Sequence, residues 1–358
     1  MNKRKKVLIC PLDWGLGHAT RCIPIINELI KQDADIYIAA DKGPFDLLIR
    51  EYPKLKFLTF PGANISYPYG WLMVPYFFLV FPKLLYNANK EHRYLKELIN
   101  EYHFDIVISD NRYGLWNKSV KTVFITHQVM IMTPAWLTFM RPLLFGISKN
   151  FINKYDHLWI PDNASQENLS GDLSHKQLLK NKTTYIGILS RFIKREKENA
   201  NKTDICAIIS GPEPQRTAFE NLILPQLERS GKQCVIITGM PGNAETKKYD
   251  NNTLFNHLKS EEMEQAIENA NVIISRSGYS TLMDLSILGK KAIFVPTPGQ
   301  TEQEYLAERL MDKGLAYYQK QQDFNLDKAL IENEKFSGLN LQSSPDLLTN
   351  AITDLLKN

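Results

Sequence analysis

The sequence predicts an α/β protein built as two doubly wound, Rossmann-like domains facing a cleft, and three observations carry the prediction. Apolar runs of strand length alternate with segments of helical spacing along most of the chain. That alternation starts afresh near Asp204, so the second half rhymes with the first. With 358 residues the chain also exceeds one ordinary core and suggests two. The division falls in a charged stretch without strand pattern, Ile188 to Lys202, giving domains at 1–187 and 188–358.

The elements follow in order. Val7 to Cys10 form a strand, a glycine-containing turn follows, and Ile23, Ile26, Leu29 and Ile30 recur with helical spacing before Ile36 to Ala40 read as strand again. This is a β-α-β opening. Further strands are predicted at Lys56 to Phe60, Ile106 to Ser109, Val123 to Thr126 and His157 to Ile160. The second series has strands at Asp204 to Ser210 and Cys234 to Thr238, with a helix through Phe219 to Leu227 between them and a turn at Gly239 to Gly242 after the second. Val272 to Ile274 and Ala292 to Val295 continue it, and Pro345 to Leu356 is a last helical pattern that packs on either domain. Trp71 to Phe81 and Val129 to Phe145 are apolar, aromatic and broken by proline; they read as buried core, with an interfacial lip for a lipid-linked acceptor as the alternative.

Composition narrows the classes. Charged residues at 23% and hydrophobic ones at 44% exclude disordered, fibrous and disulfide-scaffold chains. A formal charge of +4 spread over the chain gives no basic stripe, so nucleic acid is not an expected partner. Cys10, Cys22, Cys206 and Cys234 have neither metal nor secreted-framework spacing and read as free, buried thiols. No run reaches the length of a spanning helix and no secretory signal is evident, so the cytoplasm is the expected compartment.

The segment Ser275 to Thr281 is the most informative. A strand delivers a Ser/Gly turn at Ser277-Gly278, and the following helix directs its free N–H groups and positive dipole end at whatever binds there, which suits phosphate. An ordinary turn capped by Ser277 or Ser280 is the competing reading. Asp284, six residues past Gly278 and about 9 Å along the helix, suits a ribose beside a diphosphate. Gln303 and Glu304, at the start of the helix after Pro296 to Gly299, suit sugar hydroxyls because amides and carboxylates donate and accept at fixed positions. Arg216, after Ser210 to Gln215, is a candidate for diphosphate.

In the first half, Gly15 and Gly17 shape the turn that leads to His18, whose ordinary pKa fits proton transfer from a hydroxyl or from water. A plain turn with His18 as cap is the structural alternative. Asp110 closes one predicted strand and can orient His18 or act as base itself, while His127 and Gln128 close another and can hold an acceptor. Neither an Asp-x-Asp pair nor a His/Cys cluster in the second half calls for a metal, and no cofactor is expected.

On these residues the chain resembles GT-B glycosyltransferases of family 28, the group of the peptidoglycan N-acetylglucosaminyltransferase and the diacylglycerol galactosyltransferases. The most specific match is Ser275 to Gly278, Asp284, Gly289, Pro296 and Gln303-Glu304; Gly15, Gly17 and His18 match the glycine-rich turn that ends in histidine. The resemblance implies an inverting, metal-independent hexosyltransferase. An acceptor-side domain would precede a nucleotide-sugar domain, with a UDP-sugar as co-substrate. It assigns Gly17, Ser277, Gly278, Asp284, Gln303 and Glu304 to the donor, His127 and Gln128 to a lipid-linked or glycan acceptor, and His18 to proton transfer; the residues themselves add Arg216 to the donor side and Asp110 to proton transfer. Peripheral contact with the inner face of the membrane is part of the expectation.

Four departures stand out: Asp284 replaces a glutamate, Glu304 a glutamine, Pro212 and Pro214 occupy a turn that is glycine-rich in the family, and Leu258-Lys259, near the expected base pocket, matches only loosely. Gly15 to His18 with Arg21-Cys22 also resembles a nucleotide-sugar hydrolase of the pseudaminic acid pathway, in which the histidine would activate water. A non-catalytic nucleotide-sugar-binding subunit is the third reading.

Overall fold

The computed structural model describes residues 4–62, 73–176, 179, 182–193, 203–240, 246–249 and 251–357, with the side chains of 73–80 and 249 outside the description. The aromatic stretch Trp71 to Phe81 thus lies almost wholly outside the described side chains, as does the linker beyond Ile193. Two compact units are present. The first gathers the described residues before position 63 with Phe77–Leu189 and those from Ser343 onward, and the second holds Ser190–Gln342.

In the first unit the order is β1 (Lys6–Pro11), α1 (Leu16–Lys31), β2 (Asp35–Ala40), α2 (Lys42–Glu51), β3 (Lys56–Thr59), α3 (Met73–Tyr102), β4 (Ile106–Asp110), β5 (Lys121–Ile125), α4 (Arg141–Ile152), β6 (His157–Ile160), the short α5 (Asp172–His175) and β7 (Thr183–Tyr185). The strands form one parallel sheet in the order β3-β2-β1-β4-β5-β6-β7. Its centre is apolar on both faces: every residue of β4 is buried, as are Val7 to Pro11 of β1, which is what helices on both sides of a parallel sheet require. The chain runs outward from β1 through β2 and β3, then crosses over to β4. This reversal between β1 and β4 is where such folds bind ligands, beyond the carboxyl ends of the strands.

The second unit repeats the plan with β8 (Thr203–Ile208), α6 (Gln215–Arg229), β9 (Cys234–Ile237), β10 (Thr246–Tyr249), β11 (Asn252–Phe255), α7 (Ser260–Asn269), β12 (Ala270–Ser275), α8 (Tyr279–Leu288), β13 (Ala292–Phe294), α9 (Thr301–Asp312), β14 (Tyr317–Tyr318) and α10 (Leu326–Asn333). The order is β10-β11-β9-β8-β12-β13-β14, parallel except for the β10–β11 hairpin. Its reversal lies between β8 and β12. The strands β7, β10, β11 and β14 were not foreseen, being short or polar.

The last helix, α11 (Asp346–Lys357), joins the first unit although it follows the second in sequence. The Gln32 amide donates to the Thr349 carbonyl at 3.2 Å, and the Thr353 hydroxyl donates to the Gln32 side-chain oxygen at 3.1 Å. The four cysteines are free and buried. Among the described residues no helix is long and apolar enough to cross a membrane.

Candidate functional site: an arginine-centred histidine cluster and an uncapped helix start

Strand order brings the first-unit residues together. β1 and β4 are neighbours with Pro11 opposite Asp110, and β5 lies next to β4 with Ile125 opposite Asp110. The residues that follow β1, end β4 and follow β5 therefore meet at one sheet edge, and these carry His18, Asp110 and His127. α1 begins at Leu16 with Gly15 as its N-cap, no side-chain cap and no acid in its first turn. His18 stands in that first turn, so it does not serve as a cap.

Arg21, one turn further along α1, binds the three together. Its Nε donates to Asp110 Oδ2 at 2.7 Å and its Nη2 pairs with Asp110 Oδ1, a bidentate ion pair. Nη1 lies 3.0 Å from His127 Nδ1 and Nη2 lies 2.9 Å from His18 Nδ1, which is itself 3.3 Å from Asp110 Oδ2. The Arg21 side chain is 3% exposed, Asp110 0% and His18 20%, so only the imidazole of His18 reaches solvent appreciably. Burial alone would raise the Asp110 carboxyl, but the Arg21 guanidinium and His18 outweigh it and hold the group at about 2. Burial lowers the pKa of His18; Asp110 opposes that shift and Arg21 adds to it. The result is a neutral imidazole beside a fixed carboxylate, the state a general base needs near neutrality. Gln128 follows His127, and its backbone N–H is taken by the Thr126 hydroxyl at 3.0 Å.

In the second unit the Ser277-Gly278 turn stands at the carboxyl end of β12, beside the β8/β12 reversal. The reading of an ordinary serine-capped turn does not hold: Gly278 is the N-cap of α8 and no side chain bonds there. The Ser277 hydroxyl is turned inward, donating to the Gln303 carbonyl at 2.8 Å. Ser277 is fully buried, so its hydroxyl ties α9 to the turn, and what the start of α8 offers a ligand is backbone N–H groups. Gly278 has extended dihedrals open to any residue, and a Cβ there would meet only Thr281 Oγ1 at 4.0 Å. Neither backbone nor packing demands glycine at this place, and the space above it is open.

The remaining candidates are held by their neighbours. Gln303 Oε1 accepts from the Thr297 N–H at 2.8 Å and Glu304 Oε1 from the Gly299 N–H at 3.0 Å, so both side chains fold back onto the Pro296–Gly299 bend. Arg216 is spent on carboxylates of its own helix region: Nε on Glu213 at 2.6 Å and Nη1 on Glu220. Asp284 accepts from the Ser190 hydroxyl at 2.6 Å and has Arg191 Nε 3.9 Å from its other oxygen. It fastens the chain where the second unit begins. Burial pushes its carboxyl up to about 6 against the pull of Arg191 and Ser190.

Two residues of the candidate sites escaped sequence reasoning. Arg21 was visible only as part of a motif, although an arginine three residues past His18 shares its helix face. Arg276, 1% exposed, donates to the carbonyls of Val295 and Pro296 at 2.9 and 3.1 Å, to that of Gln215 at 3.1 Å and to Gln321 Oε1 at 2.7 Å, with its guanidinium 4.0 Å from the Phe219 ring centre. These partners are neutral oxygens, and burial lowers its pKa to about 9. A cation without a carboxylate next to an uncapped helix start makes that region of the second unit electropositive.

Residues 215–356 match the glycosyltransferase family 28 C-terminal domain, which takes in the Ser277-Gly278 turn, α8 and α9. Over 98% of both chains the sequence is 25% identical to a UDP-N-acetylglucosamine--N-acetylmuramyl-(pentapeptide) pyrophosphoryl-undecaprenol N-acetylglucosamine transferase of Buchnera aphidicola. The chain is a glycosyltransferase of GT-B fold with a family 28 C-terminal domain. Solved glycosyltransferases share the fold: that of kitacinnamycin superposes with a TM-score of 0.66 at 14% identity over 99% of this chain and 100% of the other. MurG of Acinetobacter baumannii superposes with 0.57 at 15% over 99% of each. The glycosyltransferase reading thus prevails over the hydrolase and the non-catalytic subunit.

Proposed function

We propose that this glycosyltransferase moves a hexose-type sugar from a UDP-sugar to the hydroxyl of a lipid-linked acceptor, with inversion and without a metal, at the cytoplasmic face of a membrane. The observation that supports it most is the ionised Asp110 beside a neutral, partly exposed His18 in a chain similar throughout its length to a transferase of that kind. His18 takes the acceptor's proton as its oxygen attacks the sugar, and Asp110 stabilises the imidazolium that forms. The departing UDP gains negative charge, which the N–H groups and dipole of α8 meet.

Membrane contact has its own support. The core reading of Val129 to Phe145 holds for Val129, Met130, Met132 and Leu137, which are buried, but Trp136, Phe139 and Leu143 are 68%, 75% and 59% exposed. Trp136 and Phe139 stand three residues apart on a single 3-10 turn, and Leu143 follows on α4 with Arg141 and Lys149 on the same helix. Exposed aromatic and aliphatic side chains with cations nearby suit a shallow interfacial contact.

One experiment tests transfer and lipid presentation together. UDP release from a panel of UDP-sugars should be slow in buffer and rise at least tenfold with a lipid-linked acceptor in anionic vesicles. Trp136→Ser/Phe139→Ser should lose the vesicle-presented acceptor while keeping a water-soluble analogue. Fast release indifferent to any acceptor would replace the transferase with the hydrolase.

A second expectation follows from Gly278. Because its surroundings leave room for a Cβ, Gly278→Ala should change folding stability by no more than about 1 kcal/mol, the cost of a poorer N-cap. Its affinity for UDP, measured by calorimetry, should nevertheless fall by tenfold or more. Unchanged affinity would place the phosphates elsewhere.

A further inference from the structure

Arginine has five N–H donors and no acceptor, so any nitrogen it hydrogen-bonds must offer a lone pair. Arg21 Nη1 stands 3.0 Å from His127 Nδ1. That nitrogen is therefore unprotonated, and a neutral imidazole in this state carries its hydrogen on Nε2. A hydrogen on Nδ1 instead would cost the bond to Arg21.

His18 Nδ1 meets the same guanidinium and by the same rule accepts from it here, but it differs in having a second partner. Its Nδ1 lies 2.9 Å from Arg21 Nη2 and 3.3 Å from Asp110 Oδ2, so that atom has a partner in either state: a lone pair accepts from the guanidinium, and an N–H donates to the carboxylate. Proton placement on His18 can change without stranding a buried group. With the hydrogen on Nδ1 and directed at Asp110, Nε2 is the basic atom.

We propose that Arg21 is the positioning residue of the first-unit site: it locks His127 in the Nε2–H tautomer and holds Asp110 where it can accept a hydrogen bond from the Nδ1–H of His18, so that His18 alone serves as base. This rests on the transferase reading for the role of His18, and it removes His127 as an alternative base. The charged and titratable groups around His18 are Asp110 from β4, Arg21 and the Cys22 thiol from α1, and His127 beyond β5.

The first test needs no activity. In wild-type protein labelled with nitrogen-15 histidine, two-bond proton–nitrogen correlations near neutral pH should show His127 Nδ1 as unprotonated and Nε2 as protonated. A protonated Nδ1 overturns the assignment. Arg21→Lys keeps a cation but presents one ammonium where the guanidinium spans three partners, so His127 should become a mixture of tautomers and kcat should fall by roughly tenfold or more, with donor KM within twofold.

Arg21→Gln removes a cation beside His18 and leaves Asp110, so the acid limb of its kcat profile should move to higher pH by at least half a unit. An unmoved limb, or a pure tautomer in Arg21→Lys, refutes the positioning role and leaves Arg21 a scaffold residue. Should wild-type turnover prove indifferent to acceptors, the transferase reading fails while the tautomer result stands by itself.

Discussion

Replacing His18 by alanine should lower kcat by about 10² to 10⁴, the range for loss of a positioned general base, while UDP affinity stays within twofold of wild type. The separation follows from architecture. His18 belongs to the first unit, whereas the uncapped start of α8 and the buried Arg276 belong to the second. A base acts only in the transition state, so its removal shows in turnover and not in ground-state binding. The pH profile supplies a second check. Burial and Arg21 depress the pKa of His18 below the ordinary 6.5, so the neutral base persists into mildly acidic solution and the acid limb should lie below that value. An acid limb above 6.5, or a His18→Ala variant with normal kcat, would remove the residue from the chemistry.

The second large effect concerns stability. Asp110→Asn should destabilise the first unit by about 3 to 5 kcal/mol in denaturant unfolding, because it leaves the buried guanidinium of Arg21 without its carboxylate. The double variant Asp110→Asn/Arg21→Met should recover much of that loss, since no charge is then stranded. Equal destabilisation in both would mean that packing rather than charge governs the site. The sign with pH is fixed. Asp110 has a folded-state pKa of about 2, depressed from 3.8, so its contribution is complete above about pH 4 and disappears as the pH falls through 2. The asparagine variant should lack that part of the acid sensitivity.

How much of this was legible in the sequence follows from the range of each signal. Strands β1, β2, β4, β6, β8 and β9 were found within two residues because buried parallel strands are continuous apolar runs. β10 and β11, Thr246–Tyr249 and Asn252–Phe255, form a short hairpin that is polar along its outer strand and gives no such run. Asp110 and His127 could be placed at strand ends, but their meeting with His18 depends on the order β1-β4-β5, which no local pattern encodes. Asp284 could be placed by its spacing from Gly278, but its partner in the fold, Ser190, is 94 residues away and has no local signal. The pairing of Arg216 with Glu213 and Glu220 is local, at helical spacing that the sequence does display.

The return of α11 to the first unit bears on how the protein is made. Synthesis runs from amino to carboxyl end, so every residue of the Ser190–Gln342 unit has been joined to the chain before the helix that completes its predecessor exists. The unit begun first is finished last, and Gln32, the cap at the end of α1, waits without its α11 partners in the meantime. Cutting the gene at the linker would not yield two autonomous halves; the amino-terminal piece would lack its closing helix, and the other would carry a surplus amphipathic tail.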